Sequence, residues 1–275
     1  MVSVLPWHFE AFREYISYQT LLSASAVLRQ FEGEEITPSN PRIQQMQNLL
    51  VLRTGKDSWI PSRSGSADVD WNLEGDVYRN KGRLLSSLFI LEPKNASIPP
   101  SVKLLPFGRA LAKGEVSEQE FYDFIITRFC YPHPAWDDNW RAWTAQNKRL
   151  FPFRFILQVL IELDKTKPLD SFLTTEEIAI HLYPVSDHSQ VINIVESVMK
   201  SRLLGQSVDR ERTDKVDRKI TDICGFLCLS GYCFYTLNGK AIGLNLRDQH
   251  RKELTMFERS RLNQDRLKEI KTLIN

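Results

Sequence analysis

Val216-Asp-Arg-Lys-Ile-Thr-Asp-Ile-Cys-Gly-Phe-Leu-Cys-Leu-Ser-Gly231, and directly after it Tyr232-Cys-Phe-Tyr-Thr-Leu-Asn-Gly-Lys-Ala-Ile-Gly-Leu-Asn-Leu246, decide the fold of this chain. In the first piece Val216, Ile220, Ile223 and Leu227 recur at intervals of 4, 3 and 4. That is the period of a helix buried on one face, with Gly231 placed to end it. The helix is read from Thr213, and its other side carries Arg212, Lys215, Arg218 and Lys219. In the second piece two strand-like runs flank Asn238-Gly239. This dipeptide suits a two-residue type I′ turn, because both positions need positive φ. A helix running into such a hairpin spells the end of a winged helix.

Working upstream, Phe151-Pro-Phe-Arg-Phe-Ile-Leu-Gln-Val-Leu-Ile-Glu-Leu163 opens with proline in its first turn and is apolar nearly all round, which predicts a buried central helix. Thr174-Thr-Glu-Glu177, between Leu173 and Ile178, matches a capping box with a hydrophobic staple and starts a short helix that stops before Pro184. After the turn at Val185, the spacing of Val191, Ile192, Val195, Val198 and Met199 predicts a further helix. Two short helices around a tight turn make a helix-turn-helix.

The first half repeats this logic less cleanly. Asp76-Val-Tyr-Arg-Asn-Lys-Gly-Arg-Leu-Leu-Ser-Ser-Leu-Phe-Ile-Leu91 places its cations before an apolar stripe, and a helix is expected from Ser39 to Leu52. A weaker hairpin is expected around Asn95-Ala-Ser, between Phe89-Ile-Leu and Val102-Lys-Leu-Leu, with Pro93, Pro99 and Pro100 confining its strands to edges. Residues 118–143 read as a packed aromatic connector, and a polar, charge-mixed helix with a solvated face runs from about Arg247 to the end. The whole is expected to be mainly α with small β-hairpins. Two winged-helix (helix-turn-helix) subdomains, residues 1–115 and 150–250, are joined by a small helical linker subdomain at 116–149 and followed by a helix at 251–275.

The 275 residues, 42% apolar and 25% charged, are ordinary globular material with a net charge of only +2, so the distribution of charge says more than its sum. No stretch approaches the roughly twenty apolar residues of a membrane span, and Met1 to His8 lacks a signal-peptide pattern. A cytoplasmic protein is expected. Cys130, Cys224, Cys228 and Cys233 are read as reduced core thiols; zinc is the competing reading for the last three, without a second paired cluster to support it.

The ordered series Val77-Tyr-Arg-Asn-Lys-Gly-Arg-Leu-Leu85, Leu104-Leu-Pro-Phe-Gly-Arg-Ala-Leu-Ala-Lys-Gly114, Phe121 to Pro134, the apolar helix from Phe151, and Asp217 to Asn245 resembles the N-terminal DNA-recognition region of type IIS restriction and nicking endonucleases. The resemblance covers most of the chain. It implies sequence-specific recognition of a short asymmetric double-stranded DNA site by a monomer, without a cofactor for binding. Mg²⁺ would belong to a nuclease domain that these residues do not contain.

A helix entering the major groove reads bases with its N-terminal side chains. Arg79, Asn80, Lys81 and Arg83, with Asp76 and Tyr78 beside them, are one candidate set; a solvated helix end capped by Asp76 is the alternative. Arg210, Arg212, Thr213, Lys215, Arg218 and Lys219 form a second, interrupted by acids that suggest surface salt bridges instead. Ser186, Asp187, His188, Ser189 and Gln190 are a competing recognition end, unless Ser186 or Asp187 merely caps the helix. Arg53, Lys56, Arg63, Ser64 and Ser66 lie in a loop suited to phosphate contacts. Trp7 and His8 are either an N-terminal arm or core, and Trp136, Trp140 and Trp143 read as core.

Two other functions compete. Asp76, Glu92 and Lys94 imitate the acid and Glu-x-Lys layout of a metal-dependent nuclease, but Pro93 breaks the strand that such a site needs. A protein-binding winged helix is the other.

Overall fold

A computed structural model describes residues 7, 9, 15–37, 40–59, 80–93, 101–135, 149–167, 170–185, 187–205, 214–245 and 256–275. The chain divides into two compact units, one of residues 11–121 with 133–138 and the other of residues 1–10, 122–132 and 139–275.

In the first of these, Ser17 caps α1 (Tyr18–Gln30) and Asn40 caps α2 (Pro41–Thr54), which has proline in its first turn and ends at Gly55 with φ 66°. Trp59 follows in a 3-10 turn, fully buried edge-on to Tyr15, and its indole N–H donates to Thr54 Oγ1 at 2.7 Å. α3 (Asn80–Ser87) buries Leu84 and Leu85. The weak hairpin is realised as bridges: Leu91 pairs antiparallel with Leu104, and Glu35 with Ser101. Residues 101–104 are thus the middle partner of both, tied further by Val102 N–H to Glu34 O at 2.9 Å and Glu92 N–H to Lys103 O at 2.9 Å. The expected turn at Asn95 lies outside the described residues. α4 (Pro106–Ala112) presses Gly108 against this layer so closely that a Cβ there would stand 2.2 Å from Ile90 O. Only glycine fits. The connector opens as a regular helix, α5 (Glu118–Arg128).

The other unit is built on α6 (Pro152–Thr166), the expected central helix, with Phe153, Phe155, Ile156, Val159 and Leu160 all buried. β1 (Phe172–Thr174) follows, a strand the sequence reading does not anticipate. Thr174 then makes the expected capping box: its Oγ1 accepts from Glu177 N–H at 3.0 Å, and its N–H donates to Glu177 Oε2 at 2.9 Å. α7 (Thr175–Glu177) widens into a π turn over Ile178–Leu182, closed by Tyr183 N–H to Ile178 O at 2.8 Å, and stops at Pro184 as expected. α8 (Val191–Leu204) ends at Gly205, and α9 (Asp214–Leu229) is followed by Gly231 at φ 75°.

β2 (Cys233–Thr236) and β3 (Ala241–Leu244) form the hairpin, and β1 pairs on the far side of β3 to give the antiparallel order β1-β3-β2. Its turn is the expected one: Thr236 pairs with Ala241, Lys240 N–H donates to Leu237 O at 3.2 Å across Asn238-Gly239, and these two residues have φ of 55° and 82°. Leu237 is left-handed as well, at φ 49°, and the Lys240 carbonyl accepts from Thr175 N–H at 2.9 Å, which carries the β1 pairing past the strand end. The first unit shares the pairing pattern, a last segment paired to both earlier ones, but has two described α-helices, α2 and α3, between its first two extended segments where the second unit has α7, α8 and α9.

α10 (Met256–Ile274) corrects the reading of a solvated helix, because Arg266, Ile270 and Ile274 at intervals of four are buried. Arg266 lies over the Tyr232 ring and donates to Gly231 O at 3.2 Å, while Arg154 of α6 donates to Ile274 O. The cysteines are free thiols, and burial pushes those of Cys224, Cys228 and Cys233 up. No helix among the described residues is long and apolar enough to cross a membrane.

Arg202 of α8 connects these elements. Its guanidinium donates to both Glu177 oxygens at 2.6 and 2.9 Å, to Asp170 O at 2.7 Å and to Phe172 O at 2.5 Å. Arg202→Ala would leave a largely buried carboxylate without its counter-charge and two carbonyls without this donor, so it should lower unfolding stability by about 3 kcal/mol in a urea titration. Arg202→Lys should recover less than half of that, because an ammonium cannot reproduce the planar fork.

Candidate nucleic-acid interface

Burial separates the two faces of α9. Ile220, Ile223, Cys224 and Leu227 are fully buried, whereas Arg218 is exposed and Asp217 and Lys219 are half-buried. The backbone of Lys215 sits in the first turn; its side chain, with Arg210, Arg212 and Thr213, lies outside the described residues. Arg218 is therefore the basic residue of this set whose outward position is defined.

The turn before α8 resolves differently from its expectation as a reading end. Asp187 accepts from the Ser189 N–H at 2.9 Å and from the Ser189 hydroxyl at 2.8 Å, so it is the cap. Those two bonds, the backbone one first, hold its carboxyl below the usual carboxylate range. His188 points inward. Its Nε2 accepts from Phe151 N–H at 2.9 Å, its Nδ1 meets Gln158 Oε1 at 3.1 Å, and its ring packs against Phe151 and Phe155. Both ring nitrogens are engaged by the fold, which leaves exposed Ser189 and Gln190 as the outward residues of this end. Ser186 lies outside the described residues.

In the other unit, Arg83 is exposed on α3, on the side away from buried Leu84, Leu85 and Leu88. Asn80 and Lys81 begin the helix, but their side chains, together with Asp76, Tyr78 and Arg79, lie outside the described residues. Arg53 is exposed at the end of α2 and Lys56 is half-buried just beyond it; Arg63, Ser64 and Ser66 lie outside the described residues.

Sequence reasoning passes over the solvent face of α2. Gln44, Gln45, Asn48 and Leu52 are exposed there, with no acidic residue anywhere in the helix. The missing acids are the signal that was available in the sequence.

Of the nuclease-like set only Glu92 is described, and it pairs with Lys103 at 2.9 Å; Asp76 and Lys94 lie outside the described residues, and among the described residues no three metal-ligating groups cluster. Trp7 belongs to the core: it is fully buried, edge-on to Phe155, and donates to Val185 O at 3.1 Å. His8 and the three tryptophans of residues 136–143 lie outside the described residues.

No family model and no curated protein matches the chain. Among solved structures it is similar to the BpuJ1 endonuclease binding domain, crystallised in complex with pyrene- and phenanthrene-modified DNA. The TM-score is 0.55 and the identity 14%, over 93% of this chain and 91% of that one. At that identity the likeness is one of fold, and it agrees with the family resemblance drawn from the motifs.

Burial, then the nearby Arg154 charge, lowers the pKa of His188, against a smaller opposing effect of Asp187. A folded-state pKa below the unfolded value of about 6.5 means that the native state binds fewer protons, so this contribution is full above that pH and lost as pH falls. His188→Gln should flatten the stability profile: wild type minus variant, by urea titration, should shrink from pH 8 to pH 5. His133 and His181, also lowered by burial, are common to both proteins and cancel.

Proposed function

We propose that this chain recognises one short, asymmetric double-stranded DNA site as a monomer, through the major groove, and serves as the specificity module of a type IIS restriction endonuclease. Cleavage is supplied by a nuclease domain outside these residues; DNA binding itself needs no metal or cofactor. The observation that carries this reading is that in each unit the last extended segment is the middle partner of the two before it, the strand order expected of a winged helix; support for DNA as the ligand comes from the fold likeness to a domain crystallised with DNA.

On this reading the winged-helix subdomains are residues 1–115 and 150–250, with 116–149 as linker. Arg210, Arg212, Thr213, Lys215, Arg218 and Lys219 are the recognition end of α9. Asp76, Tyr78, Arg79, Asn80, Lys81 and Arg83 are that of α3. In each the helix directly precedes the hairpin, where this fold carries its reading helix. Arg53, Lys56, Arg63 and Ser64 bind phosphates, and Ser186, Asp187, Ser189 and Gln190 flank the groove. Because the two reading ends differ in sequence, no two-fold symmetry is imposed on the target.

Selection from random duplexes should return a non-palindromic consensus, bound at one protein per site. Arg218→Ala should lose about 1–3 kcal/mol on that site and relax the preference at one base pair. Arg53→Ala should weaken all sequences alike and reduce the slope of affinity against salt by about one. A palindromic consensus, or Mg²⁺-dependent cutting abolished by Glu92→Ala, would overturn the assignment.

A further inference from the structure

α2 is an unusual surface helix. In a chain that is 25% charged, its only charges are Arg42 and Arg53, and it exposes amides and a leucine where charged pairs are ordinary. At 100° per residue Gln45, Asn48 and Leu52 fall within about 60° of one another, so they form a single stripe. Leu52 is 76% exposed. Asn48 makes no side-chain hydrogen bond or ion pair among the described residues, and neither does Arg53, which stands about 100° round the helix from Leu52.

Gln45 is held. Glu34 accepts from Arg42 Nε at 3.2 Å, Arg42 stacks 4.6 Å over the Phe31 ring, and Arg42 Nη1 donates to Gln45 Oε1 at 2.6 Å. That bond fixes the amide by its oxygen and leaves both N–H donors of Gln45 available. Asn48 keeps both a donor and an acceptor, the pair that matches adenine N6 and N7, and an apolar side chain such as Leu52 suits the thymine methyl. Arg53, off the stripe in the last turn, suits a phosphate. The absence of acidic residues removes the repulsion that a polyanion would meet on most helices.

We propose that the solvent face of α2 is a third reading surface, in which Asn48 and Leu52 recognise A·T base pairs in the major groove beside a fixed donor from Gln45. This rests on the DNA-recognition reading above and adds base-specific residues to a helix that this reading uses only for a phosphate contact at its end.

The test uses the selected site with single-atom changes in its A·T pairs. 7-Deaza-adenine removes N7 alone, and deoxyuridine in place of thymidine removes the methyl alone. At one adenine the deaza change should weaken wild-type binding about tenfold and leave Asn48→Ala unaffected. At one thymine the loss of the methyl should weaken wild type several-fold and leave Leu52→Ala unaffected. Both substitutions are at exposed positions, so melting should not change. The proposal is overturned if every base change and side-chain change adds independently, if Asn48→Ala loses as much on random duplex as on the site, or if both variants bind the site as wild type does, the outcome for a face that docks a protein. Wild-type protein without any site preference would instead refute the DNA-recognition reading itself, before any α2 variant is made.

Discussion

The Arg202 guanidinium is the point from which the second half of the molecule is laid out. It bridges the carboxylate of Glu177, which closes the capping box, and the carbonyls of Asp170 and Phe172, which lead into β1. One rigid fork therefore fixes where the strand begins, where α7 starts and how α8 crosses both. β1 in turn holds β3, through Leu173 opposite Ile242, and β3 holds the hairpin strand β2. A planar group with five donors can do this because its bonds are short and charge-assisted; the entropy of ordering a long side chain is offset once for several elements.

The parts of this arrangement that were legible in the sequence are those whose signal is local. The capping box at Thr174 needs two residues three apart, and the apolar run from Phe151 needs only its own composition. β1 was not legible, since three residues are too few to show alternation and Thr174 is at once strand end and helix cap. The turn at Asn238-Gly239 was legible because the dipeptide itself supplies the two positive φ values, whereas the left-handed Leu237 before it has no local signal. Gly108 makes the same point: nothing nearby demands glycine, and the demand comes from the carbonyl of Ile90.

The candidate site was legible as clusters of cations, but counting cations overstates it. Arg42, Arg109, Arg202 and Arg266 are each paired with a carboxylate of the chain, the first two at the surface. Arg266 is buried on an aromatic ring as well, which is why the last helix, polar by composition, is a packing element. His188 was misread for the same reason. A polar residue at a helix start looks like a reading group until the residues behind it are known, and here Phe151, Phe155 and Gln158 of α6 draw it inward.

These internal pairings change what a net charge of +2 implies about DNA binding. Removing an arginine together with its carboxylate partner leaves the sum unchanged, while Arg29, Arg53, Arg83, Arg128, Arg149, Lys200 and Lys240 are exposed among the described residues. Attachment to arbitrary sequence is almost wholly electrostatic, so it scales with how many such cations reach phosphates. Selectivity comes instead from contacts whose energy depends on the base. Neutral amides serve that purpose well: they carry no charge to strengthen non-specific attachment, and an amide set against the wrong base edge is left unpaired. On the proposed DNA-recognition reading, the acid-free, amide-bearing face of α2 adds uncharged, base-dependent contacts to those of the basic ends of α3 and α9.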